Sequence, residues 1–109
     1  MFHCDAQQWA AVLFLTPDAP PQSGTSFYRN KKSKVYHNEQ IDWSVGENGN
    51  AFSKDTFLDP TPFERQDTVG NVFNRLVIFD GGLIHSGNDY FGHNRETGRL
   101  FQIFFFNQV

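Results

Sequence analysis

Short apolar runs that end in turn-forming residues are the feature that most constrains this chain. Thirteen of its 109 residues are Phe, and the aromatic and β-branched residues fall into short stretches separated by clusters of Gly, Pro, Asn and Asp. Such stretches favour strands and such clusters favour turns. No long stretch shows the 3.6-residue period of an amphipathic helix. The pattern predicts a single all-β domain over residues 1–109.

The predicted strands and loops follow from these runs. Strands are expected at residues 9–15, 25–29, 73–79, 83–85 and 99–106, the last being the strongest. Residues 30–70 carry little regular pattern, and we interpret them as an insertion between core strands, where binding loops often lie.

Two local signals stand inside that insertion. Residues 41–45 predict a short strand. The sequence Thr61-Pro62-Phe63-Glu64 has the form of a helix capping box with proline at the first helical position. It predicts one or two short helical turns ending near Val69.

Composition excludes several classes of protein. A net charge of −3 argues against an electrostatically driven nucleic-acid binder. The longest apolar run, residues 10–15, is too short to span a bilayer, and the first residues lack the pattern of a signal peptide. The single Cys4 excludes an internal disulfide framework and a multi-cysteine zinc site. We therefore expect no nucleic-acid or membrane partner and a cytoplasmic location.

His3 and Asp5 form the first candidate pair of metal ligands. In an extended backbone, residues two apart point to the same side, so this imidazole and this carboxylate can share one ion. An exposed polar N-terminal segment is the alternative interpretation. Cys4, between them, should point away from the metal.

His85 is the candidate third ligand, since it ends an apolar strand pair after Gly81-Gly82. A hydrogen-bonded core or turn histidine is the alternative. Two histidines and one carboxylate on one face of an octahedral ion leave three positions open, which suits an Fe(II) that also binds a cosubstrate and O₂. Structural zinc more often has four protein ligands that include cysteine. The other histidines, His37 and His93, lie in polar loops and are predicted to be surface residues.

Arg99 opens an otherwise apolar strand, so its guanidinium is expected near the mouth of the core. A buried cation needs a partner, and a carboxylate of a bound small acid would serve. The alternative is an arginine that reaches solvent or pairs with Asp89 or Glu96.

Taken in order, these pieces resemble one enzyme superfamily. They are His3-x-Asp5, the run 9–15, Ser23-Gly24-Thr25-Ser26-Phe27, the strand 75–79 followed by His85, and Gly98-Arg99 leading into residues 100–106. This set is similar to the Fe(II)/2-oxoglutarate-dependent oxygenases, and most similar to their prolyl-4-hydroxylase-like branch. The resemblance covers nearly the whole chain except residues 30–70.

The resemblance implies a fold and a reaction. The fold would be a double-stranded β-helix, a jelly-roll or cupin-like barrel. His3, Asp5 and His85 would hold Fe(II), and Arg99 would bind the 5-carboxylate of 2-oxoglutarate. Oxidative decarboxylation of 2-oxoglutarate would be coupled to oxidation of a small molecule or a protein side chain.

The sequence departs from the branch at several points. The His-x-Asp pair begins at residue 3, so we expect an N-terminally incomplete barrel, whose unpaired strand edges favour a homo-oligomer. Arg95 lies at the shorter spacing from His85 that is more familiar in the branch. Phe101 stands where a small hydroxyl residue often follows the arginine, and Ser23-Gly24 replaces a glycine pair. Tyr28 is expected in the core, although it could face the cosubstrate.

Two other functions stay open at this point. One is a catalytically incomplete jelly-roll fragment that acts as a binding or assembly module. The other is a cupin-like metal-binding protein without 2-oxoglutarate, although cupins usually draw on three histidines and a glutamate.

Overall fold

A computed structural model describes residues 1–46, 49–52 and 58–108. Within these residues, six strands form two antiparallel sheets of three strands each. The strands are β1 (Trp9–Phe14), β2 (Thr25–Asn30), β3 (Phe63–Val69), β4 (Leu76–Asp80), β5 (His85–Gly87) and β6 (Phe101–Phe106). The expected all-β class is confirmed.

The chain distributes its strands between the two sheets. The first sheet has the order β4-β1-β6 and the second has the order β3-β2-β5. On β1, Ala10 lies opposite Phe79 and Phe105, so these three side chains share one face of the first sheet. That face packs against the second sheet through Phe27, whose ring lies 5.1 Å from the ring of Phe79. The space between the two sheets is therefore the interior that holds the candidate site.

A second core cluster lies on the other side of β2. It consists of Phe2, Tyr28, Val35, Ile41, Ala51, Phe63 and Ile84. Successive side chains of a strand point to opposite faces, so Tyr28 reaches this cluster while Phe27 faces the first sheet. Tyr28 is buried, as expected for a core residue, and its hydroxyl donates to Oδ1 of Asn88. The insertion thus contributes apolar residues that cover the second sheet.

The predicted helical turns at residues 61–69 are wrong. Residues Phe63–Val69 form β3, which pairs with β2 along its length. The hydroxyl and backbone N–H of Thr61 both donate to Oδ1 of Asp59, so this segment forms a turn before a strand and not the start of a helix. The open edge of β2 supplies the hydrogen bonds that override the local helical signal.

The predicted strand at residues 41–45 is also wrong. Trp43–Val45 is a 3₁₀-helical turn, and Asp42 caps it by accepting from the backbone N–H of Ser44. A second 3₁₀ turn covers Asn38–Gln40. The insertion does contain short helical turns, but they lie earlier than the capping signal indicates.

The strand bounds near the site shift by a few residues. β4 begins at Leu76 because Asn74 takes a left-handed conformation with φ of 65°. His85 begins β5 and does not end a strand, and β6 begins two residues after Arg99.

Gly24 has a steric role, since a Cβ there would lie 1.8 Å from the carbonyl oxygen of Val69. The described residues include no helix long and apolar enough to cross a membrane.

Candidate metal centre

His3, Asp5 and His85 converge at one end of the space between the sheets. A bridge between His3 and His85 joins the N-terminal segment to β5 through two backbone hydrogen bonds, from each N–H to the other carbonyl. The backbone N–H of Asp5 donates to the carbonyl of Gly81, 2.7 Å away, which fixes Asp5 beside the turn between β4 and β5. Because side chains alternate along an extended segment, His3 and Asp5 both turn toward His85.

The distances within this group suit a shared ion. Nε2 of His3 lies 3.3 Å from Oδ1 of Asp5, and Nε2 of His85 lies 3.2 Å from Oδ2 of the same residue. One ligand atom from each of the three residues lies within 4.8 Å of the others. Two ligands about 2.1 Å from an octahedral ion stand about 3.0 Å apart when they are adjacent. The spacing around Asp5 is close to that value.

Backbone carbonyls orient both imidazoles. Nδ1 of His3 lies 2.8 Å from the carbonyl oxygen of Met1, and Nδ1 of His85 lies 2.7 Å from that of Leu83. A carbonyl oxygen can only accept, so Nδ1 carries the proton in each ring. In a neutral ring, Nε2 then carries the lone pair that a metal needs, whereas in a protonated ring Nε2–H donates to the carboxylate. This is how outer hydrogen bonds prepare histidines for metal binding.

The electrostatics also fit a cation. The side chains of Asp5 and His85 are only 8% and 7% exposed. Burial alone would raise the pKa of Asp5, but hydrogen bonds with His3 and His85 outweigh it and hold that pKa well below its usual range. Oδ2 of Asp5 is buried without a hydrogen-bond partner of good geometry. A buried acceptor beside two Nε2 atoms is the donor set that a divalent cation would complete.

His3 and Cys4, the two residues that precede Asp5, both have raised pKa values. A hydrogen bond with Asp5 raises the pKa of His3. Cys4 turns to the opposite side and packs against the second core cluster, and burial raises the pKa of its thiol to about 12. Cys4 therefore offers no thiolate to this centre.

Arg99 lines the same cavity as the three candidate ligands. The cavity has a volume of about 100 Å³ and lies between the sheets. Its remaining lining is mostly apolar and comes from Ala10, Val12, Thr25, Phe79, Gly87, Tyr90, Phe101, Ile103 and Phe105. A small, mostly apolar cavity with a few convergent polar groups is the usual form of a small-molecule site.

The guanidinium of Arg99 is held without an acidic partner. Its Nε donates to the carbonyl of Ser23 and its Nη2 to that of Gly24. Burial lowers the pKa of Arg99, and no ion pair of the described residues involves it. The alternative pairing with Asp89 or Glu96 is therefore not found in the described part of the chain. A half-buried guanidinium of this kind can bind the carboxylate of a ligand.

The other arginine considered from the spacing is differently placed. Arg95 lies in an exposed loop and does not line the cavity. Phe101 has its ring 4.5 Å from Cζ of Arg99. The guanidinium therefore lies in contact with an aromatic ring.

Sequence reasoning missed two contacts, one beside the cavity and one outside it. Tyr90 lies in a polar loop without any pattern, yet its ring is 5.1 Å from Cζ of Arg99. His37 was expected at the surface, but its side chain is only 17% exposed and its Nε2 lies 3.0 Å from Oδ2 of Asp80. Neither contact has a local sequence signal, because each joins residues of separate loops and strands. His93 is exposed, as expected.

This chain belongs to a family of unknown function, DUF6445, which it matches over residues 2–106. A search of the curated proteins found no match, and a search of the solved structures found none either.

Proposed function

We propose that this chain is an Fe(II)- and 2-oxoglutarate-dependent oxygenase domain with a double-stranded β-helix fold. One observation carries the proposal: the His3-Asp5-His85 group and Arg99, which has no acidic partner among the described residues, line the same cavity. The distribution of successive strands between two facing sheets supports the fold. The substrate would be a small molecule or a protein side chain.

Each residue has a distinct task in this proposal. His3, Asp5 and His85 would hold the metal on one face and leave the rest of its coordination sphere to ligands. When bound, Fe(II) with 2-oxoglutarate and O₂ supplies the oxidation of the substrate, and succinate and CO₂ are the other products. Arg99 would orient the cosubstrate by pairing with its far carboxylate.

The cavity walls would protect the reaction from water. Ala10, Val12 and Phe79 present apolar side chains toward the candidate ligands. Low local polarity strengthens the pairing of Arg99 with a carboxylate, and it limits the access of water to reactive species.

Two kinds of measurement test the proposal: the binding of metal and 2-oxoglutarate, and the release of succinate. Calorimetry with Mn(II), an ion that tolerates air, should show metal binding, and 2-oxoglutarate should then bind only to the metal-loaded chain. Arg99→Ala should weaken 2-oxoglutarate binding about 30-fold, the low end of the cost of removing one member of a charged pair. Arg95→Ala is the matched control and should leave binding unchanged. Succinate release with Fe(II) and a substrate panel tests the reaction itself.

The possible outcomes separate the three functions. Metal binding without any affinity for 2-oxoglutarate would favour the cupin-like protein. Binding of neither would favour the assembly module. Equal losses in Arg99→Ala and Arg95→Ala would contradict the assignment of Arg99.

A further inference from the structure

β6 forms an edge of the first sheet that lacks the usual protection. Among the described residues it pairs only with β1, and residues 100–109 contain no ionisable side chain. Four consecutive apolar side chains are about half exposed, namely Ile103, Phe104, Phe105 and Phe106. Proteins usually protect such edges with charges, prolines or bulges. The edge strand β3 does so, since Glu64, Arg65 and Asp67 lie on it.

The hydrogen-bonding groups on the open edge can be identified. The backbone N–H of Leu15 donates to the carbonyl of Leu100, so Leu100 and every second residue after it face β1. The backbone groups of Phe101, Ile103 and Phe105 therefore point to the open edge. The side chains of these same three residues line the cavity.

We propose that β6 pairs antiparallel with β6 of a second copy of this chain, about a twofold axis at Ile103. Phe101 then lies opposite Phe105 of the second copy, and the two first sheets become one six-stranded sheet. A twofold axis perpendicular to the sheet keeps the same face of both strands on the same side. The uncharged strand lets two copies approach although each chain has a net charge of −3.

The size of the contact favours a reversible dimer. Each half-exposed phenylalanine offers about 100 Å² of side-chain surface, so the four apolar residues supply roughly 400 Å² per copy before the backbone is counted. A standard stable interface takes about 800 Å² from each partner. The dimer should thus form in a concentration-dependent way.

Pairing at this edge would also complete the candidate site. Ile103 and Phe105 line the cavity and are 45% and 51% exposed, so the cavity is open beside β6. A second β6 would extend this wall with the same apolar residues. The inference rests on the sheet edge and is independent of the metal chemistry.

Light scattering coupled to size exclusion, run over a concentration series of the full chain, tests the proposal. The wild type should approach twice the monomer mass as concentration rises. Ile103→Pro removes an N–H on the open edge and spares the pairing with β1, so it should give a monomer with an unchanged circular dichroism spectrum. Ile78→Pro is the matched control on the opposite edge of the same sheet, where Ile78 is likewise exposed. This variant should still dimerise.

A cross-link covers the case in which the proline variant does not fold. Opposed residues in a hydrogen-bonded antiparallel pair have Cα atoms about 5.5 Å apart, which suits a disulfide. Ile103→Cys should therefore form a disulfide-linked dimer under mild oxidation, whereas Ile78→Cys and the wild type, which keeps Cys4, should not. A wild type that stays monomeric at every concentration would overturn the proposal. So would a dimer that only the change at Ile78 disrupts or cross-links.

Discussion

The molecule contains two groups of histidine and aspartate side chains, His37 with Asp80 and His3 with Asp5 and His85. The groups differ in which ring nitrogen carries the proton. Nδ1 of His37 accepts from the backbone N–H of Glu39, so the proton is on Nε2, which donates to Asp80. Nδ1 of His3 and of His85 faces a carbonyl, so the proton of each neutral ring is on Nδ1 and Nε2 is available to a metal. Both ring nitrogens of His37 are used in hydrogen bonds, so we call His37 and Asp80 the closed group. The other group leaves a place for a cation. The backbone partner of Nδ1 decides which role a histidine can take.

The largest difference should appear in metal affinity. His85→Gln removes one candidate ligand at similar size, and we expect Mn(II) affinity to fall more than about 100-fold, since loss of even an outer partner costs about 10- to 100-fold. His37→Gln, the matched change in the closed group, should bind Mn(II) like the wild type. Calorimetry on both variants measures this. Equal losses in the two variants would remove the distinction between the groups.

The pH dependence of metal binding should be the next largest effect. The metal needs deprotonated Nε2 atoms, and the hydrogen bond with Asp5 raises the pKa of His3. Protons therefore compete with the metal at a higher pH than for a free imidazole. Mn(II) affinity should be greatest above that pKa and fall as the pH drops through it, by up to about tenfold per pH unit for each imidazole.

The closed group supplies the control for this pH effect. His37→Gln should leave the affinity–pH curve in place, because His37 is not one of the candidate ligands. His3→Gln should bind more weakly with a shallower dependence on pH. An affinity that does not change with pH across this range would contradict the assignment of His3.

A smaller effect is expected on stability at Gly82. A Cβ there would lie 2.5 Å from both Cε1 and Nε2 of His37, so Gly82→Ala must displace the ring from Asp80. Such overpacking should lower the free energy of unfolding by about 1–3 kcal/mol, as measured by urea denaturation. Gly70→Ala is the control, since its Cβ would come no closer than 3.4 Å to the carbonyl oxygen of Pro21. A Gly82→Ala chain as stable as the control would mean that the position of the His37 ring contributes little.

The smallest effect should follow Asp80→Asn. The Asp80 side chain is 49% exposed, and a hydrogen bond with such solvent access contributes only about 1 kcal/mol. The urea midpoint should shift only slightly, and Mn(II) affinity should stay unchanged. Asp5→Asn is the contrasting variant, because it removes the negative charge at the candidate centre and should weaken Mn(II) binding. A large loss of stability in Asp80→Asn would show that the closed group is a major structural link.

Much of the candidate site could be predicted because its signals are local. The pair His3 and Asp5 follows from the two-residue period of an extended chain, and Arg99 was predicted at the mouth of the core from its place before an apolar run. β3 could not be predicted, since most of its side chains are polar and exposed and only its pairing with β2 makes it a strand. The role of His37 was missed for a similar reason, because its partner Asp80 lies on a distant strand.

The sequence by itself determined the all-β class and the side of the chain to which His3 and Asp5 point, because strand preference and alternation depend on neighbouring residues. Only the tertiary structure decided that His85 meets them and that Arg99 shares their cavity. Those distances result from the pairing of the N-terminal segment with β5 and from the packing of one sheet on the other. Contacts between distant segments minimise the free energy of the whole chain, and no short stretch of sequence contains them.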